Sequence, residues 1–308
     1  MINEHVQEFV GKPVKQWEPN EAIDDPSGTA YRIAVSYDEP DITWGEKFAA
    51  FLSLPAASQV TGIVVGIWGD TSKGELSADD VVEALVAARD KLPLLQALFI
   101  GDVISEEFEI SWIKQTDMSP IFDAYPGLEH FRVRGGEALR LGPLKLDRLK
   151  SLIIETGGLD VSVVRDVTSS NLPELEHLEL WLGDDNYGAN TEMVDLAPIF
   201  SGRLFPNLRI LGLRDSQLSD AIAVAISQSP VLERLRVLDL SLGTLSDAGA
   251  AAFLTSPGIT GLEFLDLHHH YCSEEMVSKL EGLGIKLDVS DSQEADDSDG
   301  ERYVAIGE

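Results

Sequence analysis

The sequence predicts an α/β fold of one kind: a right-handed αβ solenoid in which about ten short parallel strands line a concave sheet and helices return along the convex side. Three observations carry that expectation. Seven segments, LPLLQALFIGD, YPGLEHFRVRG, LDRLKSLIIET, LPELEHLELWL, FPNLRILGLRD, LERLRVLDLSL and ITGLEFLDLHH, repeat apolar residues in the order L-x-x-L-x-L. The segments SADDVVEALVAARDKL, SDAIAVAISQSP, SDAGAAAFLTSP and SEEMVSKLEG place apolar residues at helical spacing behind a serine able to cap the first turn. The spacing of the repeats also converges, with Leu211, Leu238 and Leu265 each 27 residues apart.

In chain order, residues 1–30 read as an N-terminal arm or cap. Residues 31–290 form the solenoid, opening with weak copies at Ile33/Val35 and Ile63/Val65. The strong copies follow at Leu98/Ile100, Phe131/Val133, Leu152/Ile154, Leu178/Leu180, Leu211/Leu213, Leu238/Leu240 and Leu265/Leu267, and Leu287/Val289 closes the series. In each pair the two apolar side chains point inward, because strand side chains alternate. Two long steps contain insertions, GDVISEEFEISWIKQTDMSPIFDAYPG and WLGDDNYGANTEMVDLAPIFSGRLFPN, both ending in a DxxPIF segment. Extra residues in repeats map to loops along one face, where binding often resides. Residues 291–308 read as an acidic linker with a short terminal strand, RYVAI.

Composition narrows the partners. With 53 acidic and 23 basic residues the formal net charge is −30, and no basic cluster offsets it. Such a surface repels phosphate backbones, so neither nucleic acid nor an anionic membrane is an expected partner. No apolar run approaches the ~20 residues that span a bilayer, and the N-terminus lacks a secretion signal, which predicts a cytoplasmic protein. Cys272 is the single cysteine, which excludes an internal disulfide framework and a multi-cysteine zinc site. The Gly135-Gly136 and Gly157-Gly158 pairs lack a P-loop lysine and serine and read as tight turns. The acidic run from Asp288 to Glu301 lacks EF-hand spacing and reads as solvated.

The L-x-x-L-x-L series resembles the leucine-rich repeat proteins over nearly the whole chain. The form LxxLxLxxxxLSDxGAxAF at Leu235 to Phe253 is similar to the ribonuclease-inhibitor-like subclass. That resemblance implies an αβ horseshoe that binds other macromolecules, uses no cofactor and seldom catalyses a reaction. SWI, LRLGPL, LIIETGGL, LELWLGDDNYG, LDLSLGTL, LDLHHHY and RYVAIGE together resemble an uncharacterised bacterial family of intracellular leucine-rich-repeat proteins, which implies fold and location only.

Strand alternation assigns the candidate residues. The positions between and just after the paired apolar residues face the concave surface, giving Arg132, Arg134, Glu155, Glu179, Trp181, Arg214, Asp239, Asp266 and His268, with Tyr187 added from the second insertion. Trp181 is expected on the solvent face, where an aromatic is a typical interface anchor, unless Tyr187 or its loop covers it. Acidic residues toward the C-terminal end favour a protein or peptide partner with a basic patch, and the chain is expected to be a monomer.

The run His268-His269-His270 does not converge on one point. His268 faces the concave side, His270 turns inward, His269 lies between, and His177 is roughly 14 Å away at three strand spacings. A metal-dependent or hydrolytic accessory enzyme centred on His268, Asp239, Asp266 and Ser241 is the alternative. It would need an oxyanion hole, and no G-x-S-x-G elbow appears. Cys272 falls at an inward position and reads as core packing.

Overall fold

The structure, a computed structural model, describes residues 2–35, 42–69, 76–296, 298 and 300–307. Asp297 and Asp299 of the acidic run lie outside the described residues. Strands form where apolar residues alternate: β1 (Glu8–Phe9), β2 (Lys12–Gln16), β3 (Ala30–Ile33), β4 (Gly62–Val65), β5 (Leu76–Ser77), β6 (Ala97–Ile100), β7 (Ile113–Lys114), β8 (His130–Arg134), β9 (Ser151–Glu155), β10 (His177–Gly183), β11 (Ile210–Ser216), β12 (Val237–Asp239), β13 (Phe264–Asp266) and β14 (Lys286–Asp288). Twelve of them make one open, mostly parallel sheet, in the order β1, β2, β3, β4, β6, β8, β9, β10, β11, β12, β13, β14. β5 pairs with β7 in a separate ladder. The helices are α1 (Trp44–Leu52), α2 (Asp79–Ala87), α3 (Ser119–Ala124), α4 (Val161–Thr168), α5 (Met193–Phe200), α6 (Ser219–Ser227), α7 (Asp247–Ala250) and α8 (Glu274–Glu281). None of the described helices is long and apolar enough to cross a membrane. The chain divides into two compact units, residues 1–152 with 170–172, and residues 153–169 with 173–308.

In the first unit the register joins Tyr31, Ile63, Leu98 and Phe131 in one row and Ile33, Val65, Ile100 and Val133 in the next. The first weak copy is therefore Tyr31/Ile33, two residues earlier than the Ile33/Val35 that the pattern suggests. The segment YRIAV alternates over both pairs, so local pattern cannot choose, and packing does: Phe51 of α1 sets its ring 5.7 Å from Tyr31 and 5.2 Å from Trp17. Residues expected only as an arm contribute β2, which pairs in parallel with β3.

A buried charge cluster ties this unit together. The fully buried Asp102 accepts hydrogen bonds from Arg32 Nε at 2.9 Å and from the Val6 N–H at 3.2 Å. Arg32 also donates to the Asp102 carbonyl at 2.9 Å and to Gln16 Oε1 at 2.6 Å. One aspartate thus joins the N-terminal arm, β3 and the turn after β6.

In the second unit the rows run Leu178, Leu211, Leu238, Leu265 and Leu287, strand after strand. Two places beyond the second apolar residue, the chain turns through the left-handed region at Asp215, Leu242, His269 and Asp291, with φ of 51°, 66°, 58° and 60°. Only glycine visits that region freely, so each such residue costs on the order of 1 kcal/mol. The parallel ladder persists to this point, with Asp215, Leu242 and His269 donating their N–H groups to Ser241, His268 and Ser290 carbonyls.

The helix starts differ in part from expectation. Ser246 and Ser273 do cap α7 and α8, accepting from the N–H of Ala248 and Met276. Ser219 instead lies inside α6, buried, and donates to the Ser216 carbonyl at 2.7 Å. Ser77 precedes α2 and bonds to Asp79 Oδ2. The Ser-Asp pairs have a further use: Asp220 accepts from Ser246 N–H and Oγ at 2.7 Å, and Asp247 accepts from Ser273 N–H and Oγ at 2.8 and 2.7 Å. Each helix start is thereby fastened to the next repeat.

Removing one partner of a buried charged cluster leaves the others unpaired in a low-dielectric interior. Asp102→Ala is expected to destabilise the protein by about 3–5 kcal/mol in urea unfolding, and Asp102→Asn by less because it keeps an acceptor.

Candidate functional site

Three neighbouring strands of the second unit build the centre of the site. Register places Glu179, Gly212 and Asp239 side by side on β10, β11 and β12. Gly212 is needed there: a Cβ atom would stand 2.9 Å from Glu179 Cγ. Across the gap lies Arg214, whose Nη1 donates to Glu179 Oε1 at 3.0 Å and whose Nε donates to Ser241 Oγ at 2.9 Å. The same Nε is 3.2 Å from Asp239 Oδ2, and the guanidinium carbon sits 4.9 Å over the Trp181 ring. Trp181 Nε1 donates to Glu179 Oε1 at 2.7 Å.

Trp181 is therefore 5% exposed, where strand alternation alone leaves it in solvent. The reason lies in the next repeat: Arg214, on the neighbouring strand, covers the indole, a favourable cation–π arrangement. Glu155 is likewise buried. Burial by itself would raise the Glu179 carboxyl, but the His177 hydrogen bond and the Arg214 charge outweigh it and hold the pKa at about 2. Burial pushes Asp239 above the usual carboxylate range, against the opposing charge of Arg214.

Toward the C-terminal edge the same row continues as Asp239, Asp266 and Asp288. Each Oδ1 accepts the N–H two residues on, from Ser241, His268 and Ser290 at 3.0, 3.0 and 2.9 Å. The His268 ring Nδ1 lies 2.7 Å from Asp266 Oδ1, and that hydrogen bond raises the imidazole pKa. Asp266, His268 and Asp288 offer ligand atoms within 4.8 Å of one another, the one set among the described residues with the spacing to hold a metal ion. Asp288 was not among the sequence candidates because its repeat is weak, yet DVS at Asp288 repeats the DLS at Asp239 and the DLH at Asp266.

A Ser–His pair is not assembled. Ser241 Oγ donates to Asp239 Oδ1 at 2.6 Å while His268 turns to Asp266, so each hydroxyl or imidazole serves its own aspartate. His269 and His270 diverge, His269 toward Asp291 Oδ2 at 3.2 Å and the buried His270 toward the Val289 carbonyl at 2.9 Å. Cys272 packs in the interior, and burial pushes its thiol up to about 12. Tyr187 stands in the turn after β10 with its ring against Gly307.

Arg132 and Arg134 belong to the first unit. Their guanidinium carbons lie 4.5 and 5.4 Å from the Phe99 ring centroid. Arg134 is buried and donates to the Val103 carbonyl at 2.7 Å.

The depressed Glu179 pKa makes the acid limb of stability a readout of this cluster. Its contribution is complete above the ordinary value of 4.5 and is lost as pH falls toward about 2. Wild type should lose stability across that window more steeply than Glu179→Gln, measured by urea unfolding at successive pH values.

No family model matches the chain, and no curated protein matches it. Among solved structures, a protein from Bacteroides fragilis is similar, with a TM-score of 0.82 and 35% sequence identity over 90% of this chain and 77% of that one. At that identity and coverage, the chain belongs to the same family as the Bacteroides fragilis protein.

Proposed function

We propose that the chain is a leucine-rich-repeat protein of ribonuclease-inhibitor-like form, and that it acts in the cytoplasm as a monomeric, non-catalytic scaffold binding a protein or peptide through the sheet face of the second unit. The repeated strand register supports the first part. The observation that carries the second is the in-register row of Asp239, Asp266 and Asp288. Each closes its turn through Oδ1, which an uncharged asparagine could also do, and like charges directly opposite on neighbouring strands are destabilising, so stability alone does not account for the charge. Arg214 holds a guanidinium between Glu179 and Asp239 at 3.0 and 3.2 Å within the chain. A lysine or arginine of a basic partner would meet Asp266 and Asp288 in the same manner.

The test is affinity capture from native extract, comparing the intact protein with an Asp266→Asn, Asp288→Asn double variant. Asparagine keeps the Oδ1 acceptor that each turn uses, so the fold is spared. A basic partner should be retained by the intact protein, elute as salt is raised, and bind the variant roughly ten- to thirty-fold more weakly. Equal retention by both proteins would remove the acidic row from the binding surface.

The 4.8 Å convergence of Asp266, His268 and Asp288 favours one other reading, a metal-dependent accessory. Two carboxylates and an imidazole suit zinc or manganese. Titration of the metal-free protein with zinc should then give one bound ion per chain, and a His268→Ala variant should bind it at least about tenfold more weakly. No saturable binding would dispose of this reading and leave the scaffold.

A further inference from the structure

Residues Arg302 to Ile306 are expected from the sequence as a short strand, but they pair with no strand edge among the described residues. They run across the ends of several strands instead, along the left-handed corners of the second unit. The Tyr303 N–H donates to Tyr271 Oη and the Tyr303 carbonyl accepts from that hydroxyl, both at 2.8 Å, while His269 Nε2 lies 3.3 Å from the same carbonyl. One repeat back, the Ala305 N–H donates to the Leu242 carbonyl at 2.8 Å. At the next repeat, the Ile306 N–H donates to Asp215 Oδ1 at 2.9 Å. Gly307 then meets the Tyr187 ring so closely that a Cβ atom would stand 2.8 Å from its Cε2.

His269, Leu242 and Asp215 are successive members of the positive-φ row. Two strand spacings of ~4.8 Å span about 10 Å, and three residue steps, from Tyr303 to Ile306, reach at most about the same distance. The corners therefore present polar groups over the span that residues 303–306, which bend at Ala305, can reach.

The attachment is specific in its hydrogen bonds and small in its apolar burial. Ile306 is the one buried side chain among residues 302–307, and Tyr303 is 50% exposed. Arg302 donates to the Thr244 carbonyl at 2.6 Å and to Asp220 Oδ2 at 3.0 Å. Underneath, Asp215 is fully buried, and its Oδ2 has no hydrogen-bond partner among the described residues. Upstream, Asp296 accepts from the N–H groups of Ser298 and Gly300.

We propose that the row of corners formed by Asp215, Leu242 and His269 is a docking track for a peptide of the pattern Arg-Tyr-x-x-Ile-Gly, and that the chain's own segment from Arg302 to Gly307 is its resident, displaceable occupant. This surface lies at the strand ends, apart from the acidic row of the sheet face, and does not rest on the function proposed above. Burying one isoleucine contributes about 1.5–3 kcal/mol and each net hydrogen bond about 1 kcal/mol. A tail so held is weak in trans, but tethering supplies an effective concentration on the order of millimolar. The resident tail thus excludes a free peptide of equal affinity until it is weakened.

The test uses the full chain and a fluorescein-labelled synthetic peptide covering residues 301–308. By fluorescence anisotropy, full-length Ile306→Asp should bind the peptide at least about tenfold more tightly than wild type, because its own tail no longer competes. Adding Asp215→Ala to that variant should weaken peptide binding again, and a scrambled peptide should not bind. Arg302→Glu is a second tail-weakening variant, at a half-exposed position, should Ile306→Asp fail to fold. In unaltered protein, the Ala305 and Ile306 amides should exchange with solvent at least about a hundredfold faster than amides of β11 and β12. No saturable binding to a folded tail-weakened variant overturns the proposal. So does equal binding by wild type and variant, or loss of the fold in both variants, since the tail would then belong to the core.

Discussion

Everything else in this protein depends on one constraint, the in-register parallel ladder that stacks paired apolar residues strand upon strand. A slip of one residue would turn each pair outward and bring its polar neighbours in, so the register is strongly specified. In the second unit Leu178, Leu211, Leu238, Leu265 and Leu287 hold that register across five strands. Once it is fixed, the positions between and beyond the leucines have no freedom of placement. Residues far apart in sequence become lateral neighbours, and the chemistry of the sheet face follows from which residue type each repeat puts at each place.

Three polar devices occupy those places. The aspartates at 239, 266 and 288 each spend one oxygen on the N–H two residues ahead, which closes the turn out of the strand. Gly212 interrupts the row, and the interruption lets Arg214 reach two carboxylates and an indole at once. The serine and aspartate at successive helix starts fasten repeat to repeat through Asp220 and Asp247. The first device leaves a second oxygen on each aspartate, and among the described residues that of Asp239 is matched by Arg214.

Much of this was legible in the sequence, and the limits are physical. The apolar pairs, the α/β alternation and the placing of His268, His270 and Cys272 follow from a period of two and a repeat of 27 residues. The Tyr31/Ile33 register was not legible, because YRIAV satisfies the pattern twice and only the Phe51 ring distinguishes the choices. The burial of Trp181 was missed for a different reason: it depends on an arginine one strand away, a relation between repeats and not within one. The serine in SDA signals a cap, yet at Ser219 the preceding turn brings a carbonyl closer than the helix amides. Asp288 could have been found by extending the D-x-S spacing into the last, weakest repeat.

The positive-φ corners join these threads. A leucine at φ 66° is costly, and Leu242 holds that conformation with a side chain that can make no hydrogen bond. The ladder imposes it: the Leu242 N–H must still reach the His268 carbonyl at 2.9 Å while the chain leaves for the next helix. The left-handed turn at Leu242 sends the following peptide plane, which carries its carbonyl, away from the ladder, and the Ala305 N–H donates to that carbonyl. The same register that orders the leucines inside thus produces, at its outer end, a row of backbone and side-chain acceptors at strand spacing. A repeat fold of this kind makes two distinct surfaces from one constraint: side chains on the sheet face, free to vary in charge, and a corner row whose backbone geometry the fold itself dictates.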